Sequence, residues 1–202
     1  MSSRSTADFY FDPACPWAWM TSRWMMQVQQ VREVDVRWHQ MSLWALNEER
    51  DIPAEYREMM HAIQPMSRVL RRAIDEHGDE VAKPLYDALG ERIHRQGRKD
   101  YDAVTAEALA EVGLPEGLLQ AGQDESLDAA LRARKDAVVE LVGDDVGTPT
   151  IAVDGVAFFG PVVTPAPTGE EAGRLWDGCV LVAGVDGFFE LKRSRDRDPI
   201  ID

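Results

Sequence analysis

The 202-residue chain has only two cysteines, Cys15 and Cys179, and only four lysines. Two cysteines cannot build a disulfide framework, and this pair lacks the close spacing of a zinc site. The four histidines, His39, His61, His77 and His94, show no ligand spacing and have no cysteine pair beside them, so no metal is expected. Basic residues are few against acidic ones: 22 Lys and Arg face 36 Asp and Glu, leaving a formal charge of −14. That sign opposes polyanions and argues against nucleic acid and anionic membrane as partners. Long apolar runs are missing, because Asp154, Asp177 and Asp186 interrupt the two most apolar stretches, and no transmembrane helix is expected. The first seven residues are polar and lack a separate apolar region or cleavage site, which points to the cytoplasm rather than secretion. No glycine-rich phosphate loop is found, since Gly143 to Gly147 leads into a strand rather than out of one. Neither flavin nor nicotinamide is therefore implied.

What is present is ordered. Asp8 to Phe11 is a short aromatic run halted by Asp12-Pro13, and Pro16 opens a helical stretch that closes near Gln30 or Arg32. Val34, Val36 and Trp38 then alternate with Asp35, Arg37 and His39, the period of two that marks a strand. Strand, helix and strand in that order favour a parallel pair. From Ser42 to Val142 the pattern is almost wholly helical, with Pro53, Pro65, Pro84 and Pro115 as punctuation and Arg71-Arg72 and Arg92 to Arg98 as solvated basic clusters. Beyond it, Pro149 to Val153 and Val156 to Phe159 flank Asp154-Gly155, the dipeptide of a tight hairpin. A last helix, Gly169 to Val182, carries Ala172, Leu175, Trp176, Cys179 and Ala183 on one stripe and precedes a charged tail that is expected to fray. The order βαβ, helical insertion, ββα predicts an α/β protein, a thioredoxin-like fold with a large all-helical insertion between its second and third strands. The expected division is a thioredoxin-like domain over 1–41 and 147–192, an inserted helical domain over 42–146, and a tail over 193–202.

Cys15 falls where the first strand gives way to the first helix, immediately before Pro16. At that place its thiol lies near unpaired helix N–H groups, which favour the thiolate, and a Pro-flanked turn of this kind faces solvent. A thiolate is the nucleophile of thiol–disulfide exchange, so Cys15 is the candidate catalytic residue; the other reading is a packed cysteine that caps a helix. Cys179, on an apolar stripe, reads as buried and inert. A two-cysteine redox motif places a second, resolving thiol three residues after the first, but this chain has Ala18 there. A mixed disulfide on Cys15 then needs an external thiol for its release. Before the third strand, Pro149 is suited to a cis bond that presents the Thr148 backbone to an extended thiol substrate; an ordinary trans proline is the alternative.

Taken together, the motifs DPACPWAW (12–19), WHQMSL (38–43), LNE (46–48), YRE (56–58), VGTPT (146–150), GVAFFGP (155–161) and FFELKR (188–193) resemble the DsbA-like family of actinobacterial mycothiol-dependent nitroreductases. The likeness runs from about Asp8 to Arg193. It implies a cytoplasmic enzyme with a helical insertion of the DsbA and kappa-class type, often a homodimer. Such an enzyme takes mycothiol as co-substrate and reduces nitro-compounds or disulfides, so its partners are a low-molecular-weight thiol and a small-molecule oxidant. The resemblance makes Cys15 the nucleophile and assigns Pro16, Trp17, Asn47, Tyr56, Thr148 and Pro149 to thiol and substrate binding. It also implies a second cysteine where Ala18 stands, so Ala18 is either natural to a one-thiol cycle or a replacement in a two-cysteine parent. Mycothiol has no ionised carboxylate, and a surface of −14 does not repel it as it would anionic glutathione. Two other classes compete: a kappa-class-like thiol transferase or isomerase, which would have Ser in place of Cys15, and a binding domain that lost activity with its resolving thiol.

Overall fold

In the computed structural model, which describes residues 4–201, β1 (Ser5–Phe11), α1 (Pro16–Val31) and β2 (Val34–Gln40) form the expected βαβ unit. Met1 to Ser3 of the expected first domain and Asp202 of the tail lie outside the described residues. β1 and β2 pair in parallel, with Phe9 opposite Trp38. Pro16, with no N–H to leave unpaired, occupies the first turn of α1, whose Ala18, Trp19, Met20, Trp24, Met25 and Val28 are buried. β3 (Thr150–Val153) lies antiparallel to β1, and β4 (Val156–Phe159) returns beside β3, giving the sheet order β2-β1-β3-β4. The two-residue turn between them is Asp154 at φ 50° and Gly155 at φ 84°, the positive angles that an Asp-Gly hairpin requires.

Between β2 and β3 the described chain holds helices and no strand: α2 (Leu43–Asn47), α3 (Ala54–His77), α4 (Ala82–Gly90), α5 (Tyr101–Glu111) and α6 (Asp128–Val142). A π-helical turn, Glu91–Arg95, extends α4, and 3-10 segments fill Glu116–Gln123 and Glu125–Leu127. Pro65 does not punctuate, because α3 runs straight through it. An interior proline costs about 3 kcal/mol, whereas each fully buried large apolar side chain returns about 1.5–3 kcal/mol. α3 buries Met60, Ile63, Met66, Val69, Leu70 and Ile74, so packing outweighs the missing hydrogen bond. Arg71 also departs from expectation: it is buried and paired with Asp75, whereas Arg72, Arg92 and Arg98 meet carboxylates nearer the surface. Arg68 and Asp128 form a buried two-point pair at 2.7 and 2.8 Å, completed by the Gly122 carbonyl at 3.0 Å.

One buried cluster joins the sheet to the helices. Phe11 stacks on Tyr86 at 3.9 Å between ring centroids, and Trp19 meets Tyr86 edge-on at 5.7 Å. α7 (Gly169–Ala183) closes on α1 from the other side, where the Trp24 indole N–H donates to the Ala172 carbonyl at 3.0 Å. The end of the tail meets the body of the fold. The Ile200 N–H donates to Thr164 Oγ1 at 2.7 Å, and Ile201 packs against the core.

Candidate functional site around Cys15

The end of β1 is tied down by Asp12, whose side chain is 0% exposed. One carboxylate oxygen accepts the Ala14 N–H at 2.8 Å and the other accepts the Leu43 N–H at 2.7 Å. Its backbone carbonyl accepts the Cys15 N–H at 3.0 Å. Asp12 thus knots the end of β1, the turn before α1 and the start of α2. Burial lifts its carboxyl to about 6, against the pull of those two backbone N–H groups.

Cys15 caps α1. Its sulfur accepts the Ala18 N–H at 3.3 Å, and its thiol donates to the Thr148 carbonyl at 3.4 Å. The Thr148-Pro149 bond is cis, and the turn before β3 meets the thiol through the Thr148 carbonyl. Two expectations for Cys15 fail. The residue is 6% exposed rather than solvent-facing, and its thiol is held above its ordinary range rather than below it. Burial is the chief cause, and the negative charge of Asp12 adds to it. The Thr148 side chain and the N–H groups of Ala18 and Trp17 pull the other way without prevailing.

Other residues gather around this pair. Tyr56 is half-buried, and its phenol is raised by burial and then by the charges of Cys15 and Asp12. Tyr101 is raised likewise by burial and by Asp12. Trp17 is half-buried on the first turn of α1. Asn47 is buried at the far end of α2, not at a helix start, and its amide donates to the Leu43 carbonyl at 2.8 Å. The Thr148 hydroxyl is buried and has no hydrogen-bond partner among the described residues. Ala18 is fully buried in the first turn of α1. Cys179 is half-buried rather than buried, and burial alone pushes its thiol up to about 11. It has none of the hydrogen bonds that Cys15 makes.

Asp12 and His94 complete the site, and neither stands out in the sequence. Asp12-Pro13 reads as a strand stop, although an Asp two residues before a backbone N–H is the mark of an Asx turn. His94 comes from the π-helical turn, where its Nε2 donates to the Pro13 carbonyl at 2.8 Å and its ring lies 5.6 Å from that of Trp19. Burial lowers it to about 4, so the imidazole is neutral. No spacing in the sequence links it to Cys15, because the contact exists only once the helices pack. Among the described residues no cluster of His, Cys, Asp and Glu could hold a metal ion, and no helix is long and apolar enough to cross a membrane.

A family model described as Rv2466c-like, mycothiol-dependent nitroreductase Rv2466c, matches residues 14–193. The uncharacterised protein Rv2286c of Mycobacterium tuberculosis is 32% identical over 201 residues, spanning 95% of this chain and 83% of its own. Among solved structures, a probable DsbA oxidoreductase from Streptomyces coelicolor aligns with a TM-score of 0.60 at 15% identity, over 98% of this chain and 93% of its own. The cytosolic disulfide reductase DsbM from Pseudomonas aeruginosa aligns at 0.54 and 17% identity, over 88% and 100%. At these identities the two structures speak to the fold alone, which is that of the DsbA-type thioredoxin-like proteins.

Proposed function

The chain belongs to the Rv2466c-like family of mycothiol-dependent nitroreductases, and on that premise we propose that it is a reductase working through one cysteine, Cys15, with mycothiol as electron donor. The observation that carries this reading is the placement of Cys15 sulfur between the Ala18 N–H and the Thr148 carbonyl, beside cis-Pro149, with no thiol at position 18.

With a disulfide oxidant RS–SR′, the Cys15 sulfur forms a new S–S bond to RS and expels R′S⁻, which takes the proton that Cys15 gives up. A mycothiol thiolate then attacks the mixed disulfide, forms mycothiol–S–SR and returns the electron pair to Cys15 sulfur. With a nitro-compound, the Cys15 thiol and one mycothiol thiol together supply two electrons and two protons. The nitro group becomes nitroso with loss of water, the two sulfurs join, and a second mycothiol frees Cys15 as mycothiol disulfide forms. During release the Ala18 and Trp17 N–H groups stabilise the emerging thiolate.

The raised Cys15 thiol supports the direction of the chemistry. Strong thiol oxidants of this fold owe their potential to a stabilised thiolate, whereas a thiol held up by burial is a poor leaving group and a better electron donor. The same feature slows both steps, because it lowers the thiolate fraction that attacks the oxidant and makes the Cys15 sulfur a poorer leaving group at release. A lone thiol of this kind stays free in a reducing compartment, which is the reason to place the protein in the cytoplasm.

Mycothiol-dependent loss of a nitro-aromatic chromophore tests the reading. Cys15→Ser is expected to lower kcat/KM by more than about 10³-fold, the scale of losing a nucleophile. Cys179→Ser should stay within about twofold, because nothing but apolar burial acts on that thiol. Undiminished turnover by Cys15→Ser overturns the proposal.

A further inference from the structure

Beyond α7 the chain doubles back across the N-terminal end of α1. The Arg195 guanidinium stands over the Trp17 indole, 5.2 Å from the ring centroid, while Arg195 itself is exposed. Five residues later the Ile200 N–H is fastened to Thr164 Oγ1 at 2.7 Å, and Ile201 borders a groove with Trp19, Met20 and Thr168. The loop that carries Thr164 is itself bound to α1, because Thr21 Oγ1 donates to the Pro161 carbonyl at 2.7 Å. The segment is therefore a strap anchored to the same frame as the thiol. Its neighbour Arg197 is occupied by Asp196 at 2.7 Å, whereas Arg195 forms no ion pair among the described residues.

From this placement we infer that Arg195 is a specificity-determining residue that clamps the oxidant against Trp17, and that the oxidant it favours is a planar aromatic ring bearing an anionic oxygen substituent. The inference rests on the reductase reading of Cys15 and deepens it. An exposed cation–π contact contributes only about 0.5–1 kcal/mol, so a flat ring can replace the direct contact and stack between indole and guanidinium. Guanidinium is planar and carries five N–H donors, so it can cover a ring and bond carboxylate or nitro oxygens together, which an ammonium cannot. Charge gives the arrangement a purpose. On a chain of −14 an approaching anion is opposed, and a cation over Trp17, two residues after Cys15, offsets that locally. The anchored strap keeps the guanidinium over Trp17 while leaving its side chain free to lift.

Binding to Cys15→Ser protein, which cannot turn over, provides the test. Titration calorimetry with 4-nitrobenzoate and its uncharged counterpart 4-nitrobenzamide is run with Arg195, Arg195→Ala and Arg195→Lys in that background. Arg195→Ala is expected to raise the Kd of the nitrobenzoate about tenfold and that of the nitrobenzamide about threefold, the first losing a charge-assisted bond as well as stacking. Arg195→Lys should recover part of the loss for the anion and little for the amide. Unchanged Kd values in Arg195→Ala, or no saturable binding when Arg195 is present, overturn the clamp. Failure of the reductase reading would show instead as absent turnover by the Cys15 protein, with the Arg195-dependent binding intact.

Discussion

Two side chains flanking the turn that carries Cys15 titrate in opposite senses over one pH window. Asp12 rises from 3.8 to about 6, so the fold favours its protonated form. Its contribution to stability is complete below pH 3.8 and is lost as pH rises through about 6. His94 falls from 6.5 to about 4, so the fold favours its neutral form. Its contribution is complete above pH 6.5 and is lost as pH falls through about 4. Each shift corresponds to about 3 kcal/mol, and in the wild-type chain the two slopes nearly cancel. Urea unfolding across this window separates them. Asp12→Asn should lose about 3 kcal/mol more than wild type on acidification, whereas His94→Gln, which keeps a donor for the Pro13 carbonyl, should gain by a similar amount. Parallel pH profiles for all three proteins contradict the assignment. The Asp12 substitution also removes a charge that raises the Cys15 thiol, so Cys15 in Asp12→Asn should alkylate with a lower apparent pKa.

Elements held by local pattern were legible before packing was known. The period of two around Trp38, the Pro-led helix after Cys15 and the Asp154-Gly155 turn each depend on neighbours in sequence, and each lies where the pattern puts it. Pro65 within α3 and the contacts at the end of the tail were not legible, because residues distant in sequence decide both. The contact of α4 with α1 belongs to the same class. A Cβ on Gly90 would lie 2.2 Å from the Trp19 ring, although Gly90 has ordinary helical angles at φ −65° and ψ −35°. Helix propensity alone predicts that Gly90→Ala stabilises by about 1 kcal/mol. Overpacking a filled core costs about 1–3 kcal/mol or more, and here it must displace an indole that also supports His94. The variant should therefore unfold at lower denaturant concentration than wild type, and an increase in the midpoint would show that Trp19 yields freely.

For the molecule as a whole, the sequence carried the fold but misjudged the surroundings of Cys15. Helix-terminal N–H groups are visible in a strand–turn–helix pattern, and they do reach Cys15. The burial that overrides them places Cys15 in one core cluster with residues of α3, α4 and α5, which no local spacing reveals. Seen whole, the chain offers one cysteine with hydrogen-bonding partners and one with none, in a family whose donor is a small thiol. In the proposed cycle Ala18 leaves the mixed disulfide without an internal thiol to resolve it, and Ala18→Cys should shorten its lifetime. The most direct measurement is intact mass with peptide mapping after incubating the native protein with oxidised mycothiol. One mycothiol adduct on Cys15, removed by reduced mycothiol and failing to persist in Ala18→Cys, is the predicted result. No adduct, or an adduct on Cys179 as readily as on Cys15, would contradict a one-cysteine reductase.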